Sequence, residues 1–516
     1  MKSRATQTKE LDMVNGPLAR KILIYSIPLM FSNLLQVFFN MTDVAVVGKF
    51  AGARALGSVG STTIIITLTT GILLGMGGGV NAVTALHMGA EDYQRVHKTV
   101  HTSVILCFIA GLLLLVAGLA FSKPLLEVMN TKPELIDGAT AYLMIYLCGS
   151  PALALYNFGN GVLSAVGDTK RPLIYLSISG IINIVLNLFF VIVCRLGVIG
   201  VAIASIIAQY ISAALIIRFL MKTYGSYGLR MKDIAIDRDA AAAVLRIGVP
   251  AAIQYSLFAI ANICIQTSIN SFSHVVVEGN SAATNADSLI YDMMAAFYTA
   301  CTSFIAQNLG ARKKERVLRT FFITLAYSFL MGLVLGVALF IFQRPFLLLF
   351  TSDDAVIHYG QIRIGVMAFV YCVSAFMDNA TAAARGIGKS VMPTIIVVMG
   401  SVVFRIIWLL TVFAYFKTLQ SLYLIYVISW TLTAIAGNTT NVSEDCLCRL
   451  VIKDNVGINC WNVFVFNNSC FFKDIYCKER YSGSEVIQYI KDQPNIFSIE
   501  CCPFFKTILQ SIETKG

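Results

Sequence analysis

Charge is what this 516-residue chain has least of. Asp, Glu, Lys and Arg make up 13% of it, against 57% hydrophobic residues, and the mean hydropathy is +0.74. A soluble domain carries about 25% charged residues, so a water-soluble globular protein is excluded. The apolar stretches are continuous rather than alternating, which excludes a transmembrane β-barrel. Histidine is scarce too, with five in all. Only His97 and His101 share a helical metal-ligand spacing, and they sit among loop charges at the start of an apolar run. No convergent catalytic groups stand out, so an enzyme is not expected. Residues 1–16 are polar and the first apolar run is too long for a signal h-region, so no cleavable leader is expected.

What the chain does have is length of apolar run. Twelve segments can each cross a hydrocarbon core of about 30 Å as a helix of about 20 residues. They cover 17–46, 56–82, 96–121, 134–164, 170–193 and 197–222, then 240–271, 279–307, 318–343, 354–384, 390–416 and 420–437. A spanning helix satisfies its own backbone groups, so the expected fold is an all-α membrane protein. The two sets of six repeat one another at an offset of 221. Met88-Gly89-Ala90 returns as Leu309-Gly310-Ala311, Pro124 as Pro345, Gly167 as Gly388 and Pro172 as Pro393, with Pro28 and Pro250 one residue out of step. The expected organisation is a cytoplasmic segment 1–16, an N-lobe 17–222, a linker 223–239, a C-lobe 240–437 and a tail 438–516. Six spans per lobe make the repeats parallel, related by a pseudo-two-fold axis along the membrane normal.

With the N-terminus inside, 22 basic residues fall in cytoplasmic loops and eight outside, the latter including Arg344, Arg363 and Lys417. This bias predicts both termini in the cytoplasm. The net charge of +11 is then loop asymmetry, and no nucleic-acid partner is expected.

Ionisable groups at membrane depth are expensive and mark function. Asp43 is the only carboxylate between Met13 and Ala90, late in the first span. Desolvation disfavours its charged form, which suits it to take up and release a proton or to hold Na⁺. Asn183 and Asn187 share one face of the fifth span; with Asn157, on the fourth span beside Asn160, and Ser205 on the sixth they are candidates to surround it. As interhelical packing glue each would contribute less than about 2 kcal/mol. The C-lobe carries a different set: Asp378 at the position matching Asn157, Arg405 as its expected salt-bridge partner, Asn262 and Gln254, with Gln266, Asp287 and Asp292 nearby.

These residues resemble the multidrug and toxic compound extrusion (MATE) transporters from about Gly16 to Gly437. The resemblance rests on Pro28, Gln36 and Asn40-Met41-Thr42-Asp43-Val44-Ala45-Val46-Val47-Gly48. It extends through Gly161–Pro172, Asn183-Ile184-Val185-Leu186-Asn187, Gly200–Ala204 and Gln307-Asn308-Leu309-Gly310-Ala311. It implies cation-driven antiport of organic, often cationic or aromatic, compounds in the inner membrane of a prokaryote. H⁺ or Na⁺ would be the coupling ion; no cofactor and no partner beyond substrates and membrane lipids is implied, and a monomer is expected. Asp43 would carry the coupling ion, Asn157, Asn183 and Ser205 would be network members, and Asn187 stands where a second acid often occurs. Asp378 matches an acid that binds the cation in another branch. A lipid-linked precursor flippase of the same wider superfamily is the alternative, expected to show a basic cavity. The tail departs from the family: the last span is expected to be cut short near 437, and residues 438–516 hold seven cysteines in no zinc-module spacing, reading as a segment foreign to the fold.

Overall fold

The computed structural model describes residues 10–129 and 131–443; the reading of the Cys-rich tail lies outside them beyond Ser443. Among the described residues the chain is helical, and eleven continuous helices are long and apolar enough to cross a membrane. They are α1 (Leu18–Ala51), α2 (Arg54–Gly89), α3 (Tyr93–Val128), α5 (Lys170–Val193) and α6 (Gly197–Lys222) in the N-lobe. The C-lobe supplies α7 (Arg238–Ile269), α8 (His274–Gly310), α9 (Lys314–Ile341), α10 (Asp354–Gly386), α11 (Val391–Phe416) and α12 (Leu419–Gly437). The twelfth span, α4, is bent by 45° between Pro133–Leu147 and Ser150–Ala165. Pro151 explains the break: it has no N–H to give the carbonyl four residues back, at Leu147, and its ring clashes there.

The helices carry the expected stops and starts. Asp92, Asp237 and Asp353 cap α3, α7 and α10 by accepting the backbone N–H of Arg95, Ala240 and Ala355. α12 runs on as helix to Ser443, six residues beyond the expected end. The repeat is visible in the backbone itself. Gly167 and Gly388 have φ of 90° and 85°, and Glu91 and Arg312 have φ of 56° and 58°, each pair 221 apart. Pro28 and Pro250 both lie inside helices.

Burial is inverted as lipid demands. Leu113, Val116, Phe121, Val193, Val334 and Leu410 are exposed, while Thr62, Thr84, Ser103, Thr320, Thr324 and Ser401 are buried. Many buried hydroxyls bond a carbonyl one turn back, as Thr324 does to Thr320 and Ser328 to Thr324, which meets their need without water, whereas those of Thr84 and Ser103 have no hydrogen-bond partner among the described residues. One expectation is overturned here. Arg363 is not an outer loop residue: it lies within α10 and is 3% exposed.

The lobes meet near the ends of the helices that carry the Gly89 and Gly310 turns, here called the basic face. α2 packs on α7 through Gly71, Gly75 and Gly79, one turn apart each. A Cβ on Gly75 would lie 2.4 Å from Ala252 N, and one on Gly79 would lie 2.7 Å from Val244 O. Such spacing of small residues lets two backbones touch. α1 crosses α8 there as well: Tyr25 Oη shares a 2.7 Å hydrogen bond with Ser303 Oγ and donates to Ser164 O at 3.0 Å. Gln307 Nε2 donates to Ala165 O at 2.7 Å, and Ser303 Oγ donates to Asn81 Oδ1 at 3.0 Å.

Gly75→Ala is therefore expected to lower stability in detergent by about 1–3 kcal/mol, the usual cost of overpacking. Gly78→Ala, where a Cβ meets open space, should be neutral or slightly stabilising. Equal thermal midpoints for the two variants would refute the interlobe contact.

Candidate functional site

Three helices of the N-lobe bring a carboxylate and three neutral donors together. Asp43 lies on the C-terminal half of α1, half-buried, four residues before the helix relaxes to π geometry at Val47–Ala51. Asn183 and Asn187 stand one turn apart on α5, which turns π at Phe189–Val193, directly after Leu188. Insertions of this type cluster at functional sites because they re-aim the side chains beside them. Ser205 comes from α6.

The bonds form a closed set. Asn187 Nδ2 donates to Asp43 Oδ1 and, at 3.3 Å, to Asn183 Oδ1. Ser205 Oγ donates to Asp43 Oδ2 at 3.3 Å, and Asn183 Nδ2 reaches Ser205 Oγ at 3.5 Å. Both carboxylate oxygens thus accept a neutral donor, with no counter-charge among these partners. Asn187 is fully buried and its Oδ1 has no hydrogen-bond partner among the described residues. That orphan matters. An amide can turn over, and a protonated carboxyl needs an acceptor where an ionised one needs a donor.

Asn157 is not drawn into this set. Its Nδ2 donates to Leu153 O at 2.9 Å in its own helix, and its backbone packs on Gly77 of α2. Two residues that sequence reasoning missed lie close instead: Tyr142 and Tyr146 of α4, stacked with ring centroids 6.1 Å apart, are within electrostatic reach of Asp43. Their i, i+4 spacing put them on one face, but it could not say which helix that face meets.

The C-lobe departs from expectation more. Asp378 and Arg405 are both buried, but they do not pair: Asp378 Oδ2 and Arg405 Nη2 have no hydrogen-bond partner among the described residues. Arg405 is enclosed by aromatic rings, with its guanidinium carbon 4.7 Å from the Tyr426 centroid, 5.7 Å from Trp430 and 5.8 Å from Phe258. Its Nε donates to Ser429 Oγ at 3.2 Å. Ring quadrupoles do part of the work of a counter-ion. Arg385, two turns from Asp378 on α10, is the cation within that acid's electrostatic reach. Arg385 Nη2 donates to Gln254 Oε1 at 2.9 Å, joining α10 to α7. Asn262 is exposed on α7 and stands apart from this group.

The buried ion pair of the C-lobe is Arg363 with Asp287. Arg363 Nε donates to Asp287 Oδ2 at 3.1 Å, and its Nη2 bonds the same oxygen. Arg363 Nη1 donates to Asn280 Oδ1 at 2.8 Å, which also accepts from Tyr423 Oη at 3.2 Å. This cluster ties α8, α10 and α12. The signal for it was the presence of Asp287 within an apolar run, which required a cation from another span. The histidine pair has a partner too: His97 Nε2 lies 3.3 Å from Asp233 Oδ2, beside His101. His101 is already committed, its Nε2 accepting from Arg230 N at 2.9 Å and its Nδ1 facing His97 O at 2.8 Å. The trio reads as a clasp of the interlobe linker on α3.

The MatE family model matches residues 28–189 and 250–411, one copy in each lobe. The chain is 27% identical over 367 residues to the probable multidrug resistance protein YpnP of Bacillus subtilis, covering 70% of this chain and 81% of that one. It is 25% identical over 391 residues to the probable multidrug resistance protein NorM of Thermotoga maritima, covering 74% and 82%. To the FAD transporter of Shewanella oneidensis it is 24% identical over 363 residues, covering 70% and 80%. Among solved structures, a MOP superfamily transporter from Pyrococcus furiosus superposes with a TM-score of 0.79 at 22% identity, covering 86% of this chain and 98% of that one.

Removing one partner of a desolvated ion pair leaves a buried charge. Arg363→Met is expected to cost about 3–5 kcal/mol in thermal unfolding, and adding Asp287→Asn should recover most of it. A single variant as stable as the parent would show that the pair is not the C-lobe's tie.

Proposed function

The chain belongs to the MatE family of multidrug and toxic compound extrusion transporters, and from that premise we propose that it is a cation-coupled antiporter. It exports organic, often cationic or aromatic, compounds by alternating access, working as a monomer in the cytoplasmic membrane of a prokaryote. The basic face is the cytoplasmic one. The observation that carries the reading is Asp43, a lone carboxylate at membrane depth whose two oxygens are held by Asn187 and Ser205.

The chemistry follows from what a proton does to that arrangement. Ionised Asp43 accepts from the amide and the hydroxyl; protonated, it must donate at one oxygen. Asn187 is then required to present its unpartnered Oδ1, or Ser205 to turn its hydroxyl, and either change repacks α1 against α5 and α6. Na⁺ in the same place would recruit the oxygens of Asn183, Asn187 and Ser205 in a comparable rearrangement. In both cases the ion alters a helix that also holds the C-lobe, because Tyr25 and Asn33 of α1 bond Ser303 and, at 2.7 Å, Asp292 O of α8. A ligand shifts a two-state equilibrium only by its differential affinity for the two states, and α1 is where such a difference reaches the lobe contact. In the C-lobe, Asp378 and Asp292 supply negative charge suited to organic cations. Arg405 is enclosed by aromatic rings rather than lining a basic chamber, which favours this reading over a lipid-precursor flippase.

The test is efflux of a fluorescent organic cation from proteoliposomes under an imposed pH gradient and, separately, an imposed Na⁺ gradient. Asp43→Asn should keep the chain folded and monodisperse while efflux drops to the level of protein-free liposomes under both gradients. Sustained gradient-driven efflux by this variant would remove Asp43 from the coupling role.

A further inference from the structure

The segment before α1 is bound more elaborately than a free terminus requires. Residues 12–16 make no helix or strand, so their backbone groups must find partners elsewhere. Within the segment, Asp12 Oδ1 accepts from Val14 N and Asn15 N at 2.9 and 3.0 Å, forming a tight turn that ends at Gly16, whose φ is +72°. The carbonyls go outward. All five from Asp12 to Gly16 are taken by side chains, and the takers come from both lobes.

Lys21 Nζ, on α1, donates to Asp12 O at 2.5 Å and Asn15 O at 2.6 Å. The other three belong to the C-lobe, at the turn from α8 to α9. Met13 O accepts from Asn308 Nδ2 at 3.2 Å and Arg316 Nη2 at 3.4 Å, Val14 O from Lys313 Nζ at 3.3 Å, and Gly16 O from Arg316 Nη1 at 3.0 Å. Lys313 also donates to Asn15 Oδ1 at 2.6 Å, and Arg316 Nε donates to Asn308 Oδ1 at 3.0 Å, which fixes the guanidinium.

Packing repeats the pattern. Met13 is fully buried in one apolar cluster with Ile22 and Tyr25 of α1 and with Phe297 and Phe304 of α8. Leu11 rests on the N-lobe turn at Gly167, where an added Cβ would lie 2.7 Å from Leu11 O. The strap is thus covalently part of the N-lobe and electrostatically held by the C-lobe, at the face where α1 meets α8.

We propose that residues 11–16 form a latch that holds the basic ends of the two lobes together and must leave Lys313, Arg316 and Asn308 before that side can open. The latch adds to the rocking of the lobes in the proposed function and rests on it. Its fastening is chemically suited to release: carbonyl-to-cation bonds are exchangeable for water, and Met13 is a single unbranched plug.

The test is hydrogen–deuterium exchange on the full chain in lipid nanodiscs, which reads opening without an imposed ion gradient or an added substrate. It can therefore fail independently of the transport assay. In Lys313→Ala/Arg316→Ala, amides in 20–30 and 300–310 should exchange faster by about tenfold, the effect of losing roughly 1.4 kcal/mol of charge-assisted hydrogen bonding. Amides in 40–50 and 260–270 should keep their rates. Met13→Ser, which leaves the basic turn intact, should give the same pattern, and Arg316→Lys a smaller rise. Faster exchange confined to 10–16 would overturn the proposal, since the segment would then only lie on the surface. A uniform rise along the chain in both variants would overturn it too, since the contacts would then serve general stability.

Discussion

The interior of a membrane offers no water to complete a hydrogen bond, and every feature of this chain answers to that shortage. Twelve spans satisfy their own backbones as helices, and many of their buried hydroxyls fold back onto carbonyls one turn away. The polar groups that cannot be satisfied this way are few, so each is conspicuous. Asp43 takes two neutral donors, Arg363 takes Asp287 and Asn280, and Arg405 takes aromatic faces. Of the several buried polar atoms with no hydrogen-bond partner among the described residues, Asn187 Oδ1 and Asp378 Oδ2 sit at the carboxyl groups that the proposed function draws on.

The duplicated scaffold separates two tasks. Its repeated parts are mechanical: the positive-φ turns at Gly167 and Gly388, the prolines inside α1 and α7, and the close helix ends at Gly89 and Gly310. Its polar interior is not repeated. The N-lobe holds one carboxylate among amides and a hydroxyl, while the C-lobe holds an ion pair, an aromatic-caged arginine and further acids. α1 links the two tasks, carrying Asp43 in its C-terminal half and the Tyr25 contact to α8 in its N-terminal half. The N-terminal strap extends the same helix into a second hold on the C-lobe.

Legibility of the site followed the range of the interaction. Asp43 was conspicuous as a lone acid in a long apolar run, and Asn183 with Asn187 followed from helical spacing alone. Asn157 shared the same rationale and yet bonds only its own helix, because spacing defines a face without naming the helix opposite. Asp378 and Arg405 lie on consecutive spans of opposite charge, but the arginine turns into Phe258, Tyr426 and Trp430, contributed by α7 and α12. Arg363 was misread for a related reason. An arginine near the start of a span looks like an interfacial residue until Asp287, 76 positions earlier, is known to face it.

By itself the sequence determined the solvent, the number and length of the spans, the duplication and the isolated acid in the first helix. Apart from the duplication, read by matching the chain against itself, these rest on hydropathy and periodicity that act within the length of one span. Only the tertiary structure decided which polar groups meet, that α2 and α7 touch backbone to backbone at Gly75 and Gly79, and that the segment before α1 bonds the turn from α8 to α9. Those contacts join residues separated by up to 303 positions. No local property encodes them, because they exist only once helices from both lobes have packed side by side.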